Sequence, residues 1–255
     1  MAATISTGQT IPHFLQREAD NVIYLSLFSD AQPATPVAGC TVSVYDASGA
    51  TIVDAGDVTE GLPSSYTIPA ATLPDTVPFS ERWVIEWSGS YAGNAFLIRE
   101  DAHLCLRKIS PVITEASLLQ RHFDLAKLRP SGRASWQPEI DEAWIEIVAR
   151  LISQGQMPYL TMNPWAFREA HMFMALAIIF REISTHAAGA GSSGGGKYAG
   201  LATYYAEAAG AAWSRMNLIY DTSQEGMAGS ADAAQATPVV MLTTGARGSG
   251  GWRRW

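Results

Sequence analysis

The longest uninterrupted apolar run in the chain is residues 172–180, Met-Phe-Met-Ala-Leu-Ala-Ile-Ile-Phe, bracketed by Arg168-Glu169 and Arg181-Glu182. A helix that is apolar all the way round is either a central core helix or a membrane span. These nine residues fall well short of the roughly 18–20 that a span requires. The run therefore predicts the buried axis of a helical domain. Asn163 is a favourable N-cap for it, and Pro164 suits the first helical position, where a missing N–H costs nothing.

Other helices are predicted around this axis. Thr114 can cap a short one carrying Leu118, Leu119 and Phe123 and ending before Arg129-Pro130. From about Pro138, the residues Ile140, Trp144, Ile147, Val148, Leu151 and Ile152 recur at helical spacing, leaving Glu142, Glu146 and Arg150 outward. Glu139, Asp141 and Glu142 suit the positive first turn of that helix, and Gly155 ends it. A last helix over about residues 198–220 places Tyr198, Leu201, Tyr205, Ala208, Ala212, Met216 and Ile219 on one stripe. Its Gly200 and Gly210 each cost roughly 1 kcal/mol against Ala in a helix, which predicts that another helix approaches closely there. The stretch 187–197, Ala-Ala-Gly-Ala-Gly-Ser-Ser-Gly-Gly-Gly-Lys, reads as a flexible linker.

Before residue 110 the period is two. Residues 22–28, 41–45, 51–53, 82–87 and 94–98 are short runs rich in β-branched and aromatic side chains. Breaks at 30–39, 46–49, 61–65, 69–78 and 88–93 separate them. This punctuation predicts an antiparallel β-sandwich, immunoglobulin-like in its general pattern. Trp83, Ile85 and Trp87 should face inward, with Arg82, Glu86 and Ser88 outward. The fold class is thus α+β in two domains: a β-sandwich over 1–109, a small helical bundle over 110–221, and an extended C-terminal arm over 222–255.

Composition narrows the function. The chain has 255 residues, 47% hydrophobic and 16% charged, which is globular. A net charge of −7 argues against a protein that grips nucleic-acid backbone, which needs a concentrated basic face. The first residues lack a basic stretch followed by an apolar one, so no secretory signal is read there. Cys40 and Cys105 are expected to be reduced and buried.

Candidate chemistry is sparse. Residues 191–198, Gly-Ser-Ser-Gly-Gly-Gly-Lys-Tyr, match a phosphate-binding loop as far as Lys197, but Tyr198 stands where a hydroxyl should hold Mg²⁺. Asp221, Ser223, Glu225 and Asp232 give a partial calcium-loop spacing without its final Glu, so a polar turn is the better reading. His13, His103, His122, His171 and His186 share no metal-ligand spacing, and His171 is expected to be a hydrogen-bonded core residue. No serine or cysteine stands in a nucleophile motif. No catalytic residue, cofactor or metal site is therefore assigned, and the chain is not expected to be an enzyme.

Four segments in order carry a resemblance: Pro-Val-Ile-Thr-Glu-Ala-Ser-Leu-Leu-Gln-Arg-His-Phe from Pro111, the amphipathic stretch from Glu139 to Gly155, the buried run from Asn163 to Ile183, and the stretch from Lys197 to Asp221. The last closes with Asp-Thr-x-x-Glu-Gly from Asp221. From Pro111 to Gly226 the sequence resembles the head–tail connector (adaptor) proteins of tailed bacteriophages. The β domain in front and the Gly-rich stretch 187–197 depart from that family's usual pattern.

The resemblance implies a structural virion protein made in the host cytoplasm and built into the neck. It implies a homo-oligomeric, dodecameric ring that joins the portal protein to a tail or stopper protein and lines the DNA channel. DNA would pass without sequence-specific binding, no membrane would be involved, and an acidic wall that repels phosphate suits that passage. The C-terminal arm would reach the portal. In it, Val239, Val240, Met241 and Leu242 form a β-prone run that can add to a sheet edge. Arg247, Trp252, Arg253, Arg254 and Trp255 are of the residue types most enriched as interface anchors. Two other readings stand beside this one. The β-sandwich could bind carbohydrate or another capsid protein, with Trp83 or Trp87 reporting sugar by quenching. Residues 191–198 could alternatively serve a nucleotide-binding enzyme.

Overall fold

The computed structural model describes residues 5–35, 37–189, 195–222 and 224. Its architecture is mixed α+β, with the strands preceding the helices. The first half contains β1 (Ile5–Thr7), β2 (His13–Gln16), β3 (Asn21–Leu25), β4 (Leu27–Ser29), β5 (Gln32–Ala34), β6 (Val37–Tyr45), β7 (Thr51–Asp57), β8 (Ser64–Ile68), β9 (Ser80–Tyr91) and β10 (Asn94–Cys105). The helices are α1 (Glu115–Arg121), α2 (Gln137–Ser153), α3 (Arg168–Gly189) and α4 (Gly195–Arg215).

The strands form three sheets: β2-β10-β9-β6-β7, β1-β4-β5 and β3-β8. All pairs are antiparallel except β2 with β10, which is parallel. The long β9–β10 hairpin turns at Ala92-Gly93, both at positive φ. That conformation matches the twist of the flanking strands and explains a glycine at the second position. Trp83, Ile85 and Trp87 face a core shared by the three sheets and have no exposed surface. β1, β2, β5 and β8 were not foreseen from the sequence. They are short and lack a run of β-branched residues, and β5 has Pro33 as its middle residue.

Among the helices, α3 is the axis. From Ala170 to Phe180 every side chain is buried except Met174, which is half-buried. Asn163 precedes a 3₁₀ turn (Pro164–Phe167), and α3 starts only at Arg168. The Asn163 side chain is not a cap. Its Nδ2 donates to Asn217 O at 2.8 Å, and its Oδ1 accepts from Ile219 N at 2.9 Å. α2 ends as the sequence predicts, with Gly155 at φ +68°. Gly155 N donates to Ile152 O and Gln156 N to Leu151 O, each at 3.0 Å, closing the last orphan carbonyls.

Several boundaries move. Phe123 lies beyond α1 and is 74% exposed, and Ile152 is also exposed on α2. α4 runs from Gly195 to Arg215, five residues short of Tyr220, because the chain turns back to pair with the segment before α3. Met162 N donates to Ile219 O, Thr161 bridges Tyr220, and Asp221 N donates to Leu160 O. The predicted linker also shrinks, since α3 continues through Gly189 and α4 begins at Gly195. Gly200 and Gly210 do not mark a close helix contact: a Cβ at either would meet no atom within 4 Å.

The strand and helix regions share a core. Phe14 on β2, Cys105 on β10 and Ile109 pack with Trp144, Ile147, Val148 and Leu151 of α2 and with Phe167. The last four residues of β10, Ala102–Cys105, are consequently buried on both faces. Ala102 and Leu104 face the sheet core, whereas Cys105 faces the helices.

Candidate functional site

A cleft of about 350 Å³ lies where the sheet meets the helices. Residues 8–14 form one wall and residues 22–26 of β3 and its exit form the other. Lys108–Pro111 and Trp144 close it from the helical side. Its polar floor is Glu100, on the inward phase of β10 between Ile98 and Ala102 and only 2% exposed.

A buried carboxylate must be compensated, and Glu100 is compensated by three strands. His13 Nε2 lies 2.9 Å from Oε2, Trp87 Nε1 donates to the same oxygen at 2.9 Å, and Thr7 Oγ1 donates to Oε1. Burial alone would raise the Glu100 pKa. The bonds from His13, Thr7 and Trp87 and the charge of His13 outweigh it and hold the carboxyl below its ordinary value. Because an ionised carboxylate only accepts, His13 Nε2 is the donor in this bond. Chemically, the arrangement is a carboxylate held by three donors at the floor of the cleft. It also stitches β1 of one sheet to β2, β9 and β10 of another.

A second polar cluster lies on the helices. Arg133, in the loop before α2, donates through Nη1 to Glu139 and, at 2.6 Å, to Glu182 of α3. Glu139 is 4% exposed and its Oε2 has no hydrogen-bond partner. Burial, and next the hydrogen bond with Glu182, push its pKa up to about 7, against the pull of Arg133. Sequence reading took Glu139 for a first-turn acid; it shares Arg133 with Glu182, which α3 carries in from far along the chain.

The remaining predicted residues fall as follows. His171 is fully buried, and its Nε2 donates to Ile140 O at 2.9 Å, a core role. Cys40 and Cys105 are free and buried. Of the phosphate-loop-like stretch, Gly195, Gly196 and Lys197 form the first turn of α4, and the element in front is a helix, not the strand such a loop requires. Trp83 and Trp87 lie wholly inside, so neither can stack on a sugar. Val239, Val240, Met241, Leu242, Arg247, Trp252, Arg253, Arg254 and Trp255 lie outside the described residues. What is described is where the arm starts: Phe79 N donates to Gln224 Oε1 at 3.0 Å and Gln224 Nε2 donates to Phe79 O at 3.3 Å.

Neither His13 nor Glu100 was singled out from the sequence. The available signal was a charged residue on the inward phase of an alternating strand, Phe96, Ile98, Glu100, Ala102, Leu104. Among the described residues, no three His, Cys, Asp or Glu side chains form a metal-ligand set, and no helix is long and apolar enough to cross a membrane. Comparison with protein-family models, with curated proteins and with solved structures finds no match.

Proposed function

We propose that the chain is a head–tail connector of a tailed bacteriophage, a structural protein whose copies form a dodecameric ring between portal and tail. One observation supports this reading above the others: the four helical segments that carry the resemblance occur as α1, α2, α3 and α4, in order, with α3 buried as the axis of the group. In this reading the helical unit builds the channel wall. The strand region is an immunoglobulin-like sandwich carried on the ring. The arm leaves from the Gln224 clamp toward the portal, with Arg247, Trp252, Arg253, Arg254 and Trp255 as anchors.

Deleting residues 245–255 tests the assignment. The truncated protein should keep its circular dichroism and melting temperature while failing to attach to DNA-filled heads in a reconstitution assay. Normal attachment by the truncated protein would overturn the portal-docking role, and electron microscopy of the full chain without rings would overturn the connector reading.

A further inference from the structure

His103 lies near the end of β10, opposite Phe14 in the parallel register, on the face that carries Phe14 and Cys105 against the helices. It is 7% exposed, and its Nδ1 is buried with no hydrogen-bond partner among the described residues. His171, also buried, at least holds Ile140 O. The His103 ring instead meets two other rings edge to face. Phe14 stands 5.5 Å away between centroids, and Tyr159, on the 3₁₀ turn Pro158–Leu160, stands 5.9 Å away.

An irregularity in β9 sets the charges around this ring. Ala102 pairs with Trp83 and Leu104 with Ser80, so His103 alone stands against two residues of β9, Glu81 and Arg82. This is a β-bulge, and Arg82 sits in it at φ +68°, a left-handed conformation that is costly for a residue with a Cβ. Without the extra residue, Glu81 would share the inward phase of Trp83. With it, Glu81 is exposed, and its charge reaches both His103 and Tyr159. Asp101, two residues before His103 on the same face of β10, is exposed as well and acts on it too. From β2 and from the turn at 158–160 the imidazole meets only the rings of Phe14 and Tyr159. The Tyr159 phenol stays neutral, because burial and next the charge of Glu81 push its pKa up.

The imidazole thus stands between an apolar pocket and two exposed carboxylates, and only its neutral form fits the pocket. Burial holds its pKa below the ordinary histidine value, against the pull of Glu81 and Asp101. The folded state therefore binds this proton less tightly than the unfolded chain does. The stability gained by burying the neutral ring is full above the ordinary value and is lost as pH falls through the lowered one. The turn that carries Tyr159 also seats the segment after α4. Leu160 is buried in the sheet core, its carbonyl accepts from Asp221 N at 2.9 Å, and Thr161 bridges Tyr220.

We infer that His103 is an acid-operated latch between the strands and the helices. When it takes up a proton, the imidazolium turns from the rings of Phe14 and Tyr159 toward Glu81 and Asp101 at the surface. The turn Pro158–Leu160 then comes away from β10, which loosens the pairing of residues 160–162 with residues 219–221. The bulge is the strained part of the device, because it keeps an acceptor at the rim of the pocket. The latch belongs to the single chain and acts whether or not copies assemble.

Hydrogen exchange in the full chain between about pH 7.5 and about pH 4.5, corrected for the intrinsic exchange rate, tests it. Met162 N donates to Ile219 O and Asp221 N to Leu160 O. In the wild type both amides should lose protection severalfold as pH falls. In His103→Phe, which fills the pocket without titrating, they should keep it. Glu81→Gln removes one acceptor and should move the opening to lower pH. Equal losses in the wild type and His103→Phe would overturn the proposal, and so would full protection in the wild type at the lower pH. His103→Gln takes the place of His103→Phe if circular dichroism shows the latter misfolded. Proton NMR of the histidine rings gives a readout that needs no folded variant. The His103 signal should titrate below the ordinary value, together with the loss at Met162 and Asp221. Titration at the ordinary value, or without change at those amides, would refute the latch.

Discussion

Arg133 serves two carboxyl groups at once, and the balance among the three makes a measurable pH dependence. Glu139 has its folded pKa raised to about 7, above the ordinary carboxylate value, by burial and by the hydrogen bond with Glu182. The folded state therefore holds this proton more tightly than the unfolded chain does. The stability it confers is fully present below the ordinary value and is lost as pH rises through about 7. Glu139→Gln should remove that slope, so that urea midpoints of the variant vary less than wild type between pH 4.5 and 7.5. An unchanged slope would mean that Glu182 and Arg133 neutralise each other without Glu139. Sequence reading located Glu139 correctly in the first turn of α2, yet a helix wheel has no information on a partner from another helix. Glu100 is the opposite case. Its inward phase lies on β10 beyond residue 98, where the strand read from the sequence stopped, and its donors come from three other strands.

At the scale of elements, hydrophobic period was a reliable guide where one face or all faces are buried. α2 and α3 were legible for that reason, and so were the middle of β9 and the first part of β10; the strands run on through Tyr91 and Cys105, past the break read at 88–93 and the end read at 98. The ends were less legible, because they depend on side chains used for something else. Asn163 fits the pattern of an N-cap, but its amide holds the chain beyond α4, and that contact pulls residues 216–221 out of the helix. Gly200 and Gly210 were read as contact positions, yet both have open space where a Cβ would stand. Gly200→Ala and Gly210→Ala should each stabilise the protein, by up to about 1 kcal/mol, through helix propensity and a less flexible unfolded chain. Thermal melts of the two variants check this. A lowered melting temperature that appears only at high protein concentration would instead place the glycine against a neighbouring copy.

For the whole molecule, the sequence suggests a division near residue 109, and Ile109 is itself 2% exposed in the core that strands and helices share. No run of sequence announces such a core, because its members are single residues drawn from β2, β10, α2 and the turn before α3. Val148 on α2 is fully buried in it. Val148→Asp should therefore lower the stability of the sheet as well as the helices, by several kcal/mol for an unpaired buried carboxylate. Near-ultraviolet signals from Trp83 and Trp87 should melt together with the far-ultraviolet helix signal in the wild type. Separate transitions would show that the shared core contributes little coupling.

The fastening of the segment between α4 and the arm has a mechanical consequence. From Arg215 onward the chain is tied at Asn217 and Ile219 to Asn163, at Ile219 to Met162, at Asp221 to Leu160 and at Gln224 to Phe79. Tension on the arm would reach the Gln224 amide first and pass into the main chain at the start of β9. The strand pairing at residues 160–163 would take the next share, and only then would the last turn of α4 be strained. A pull on residues 222–224 is thus borne first by the sheet at Phe79, and it reaches residues 160–163, which lead into α3, only after that tie has given way.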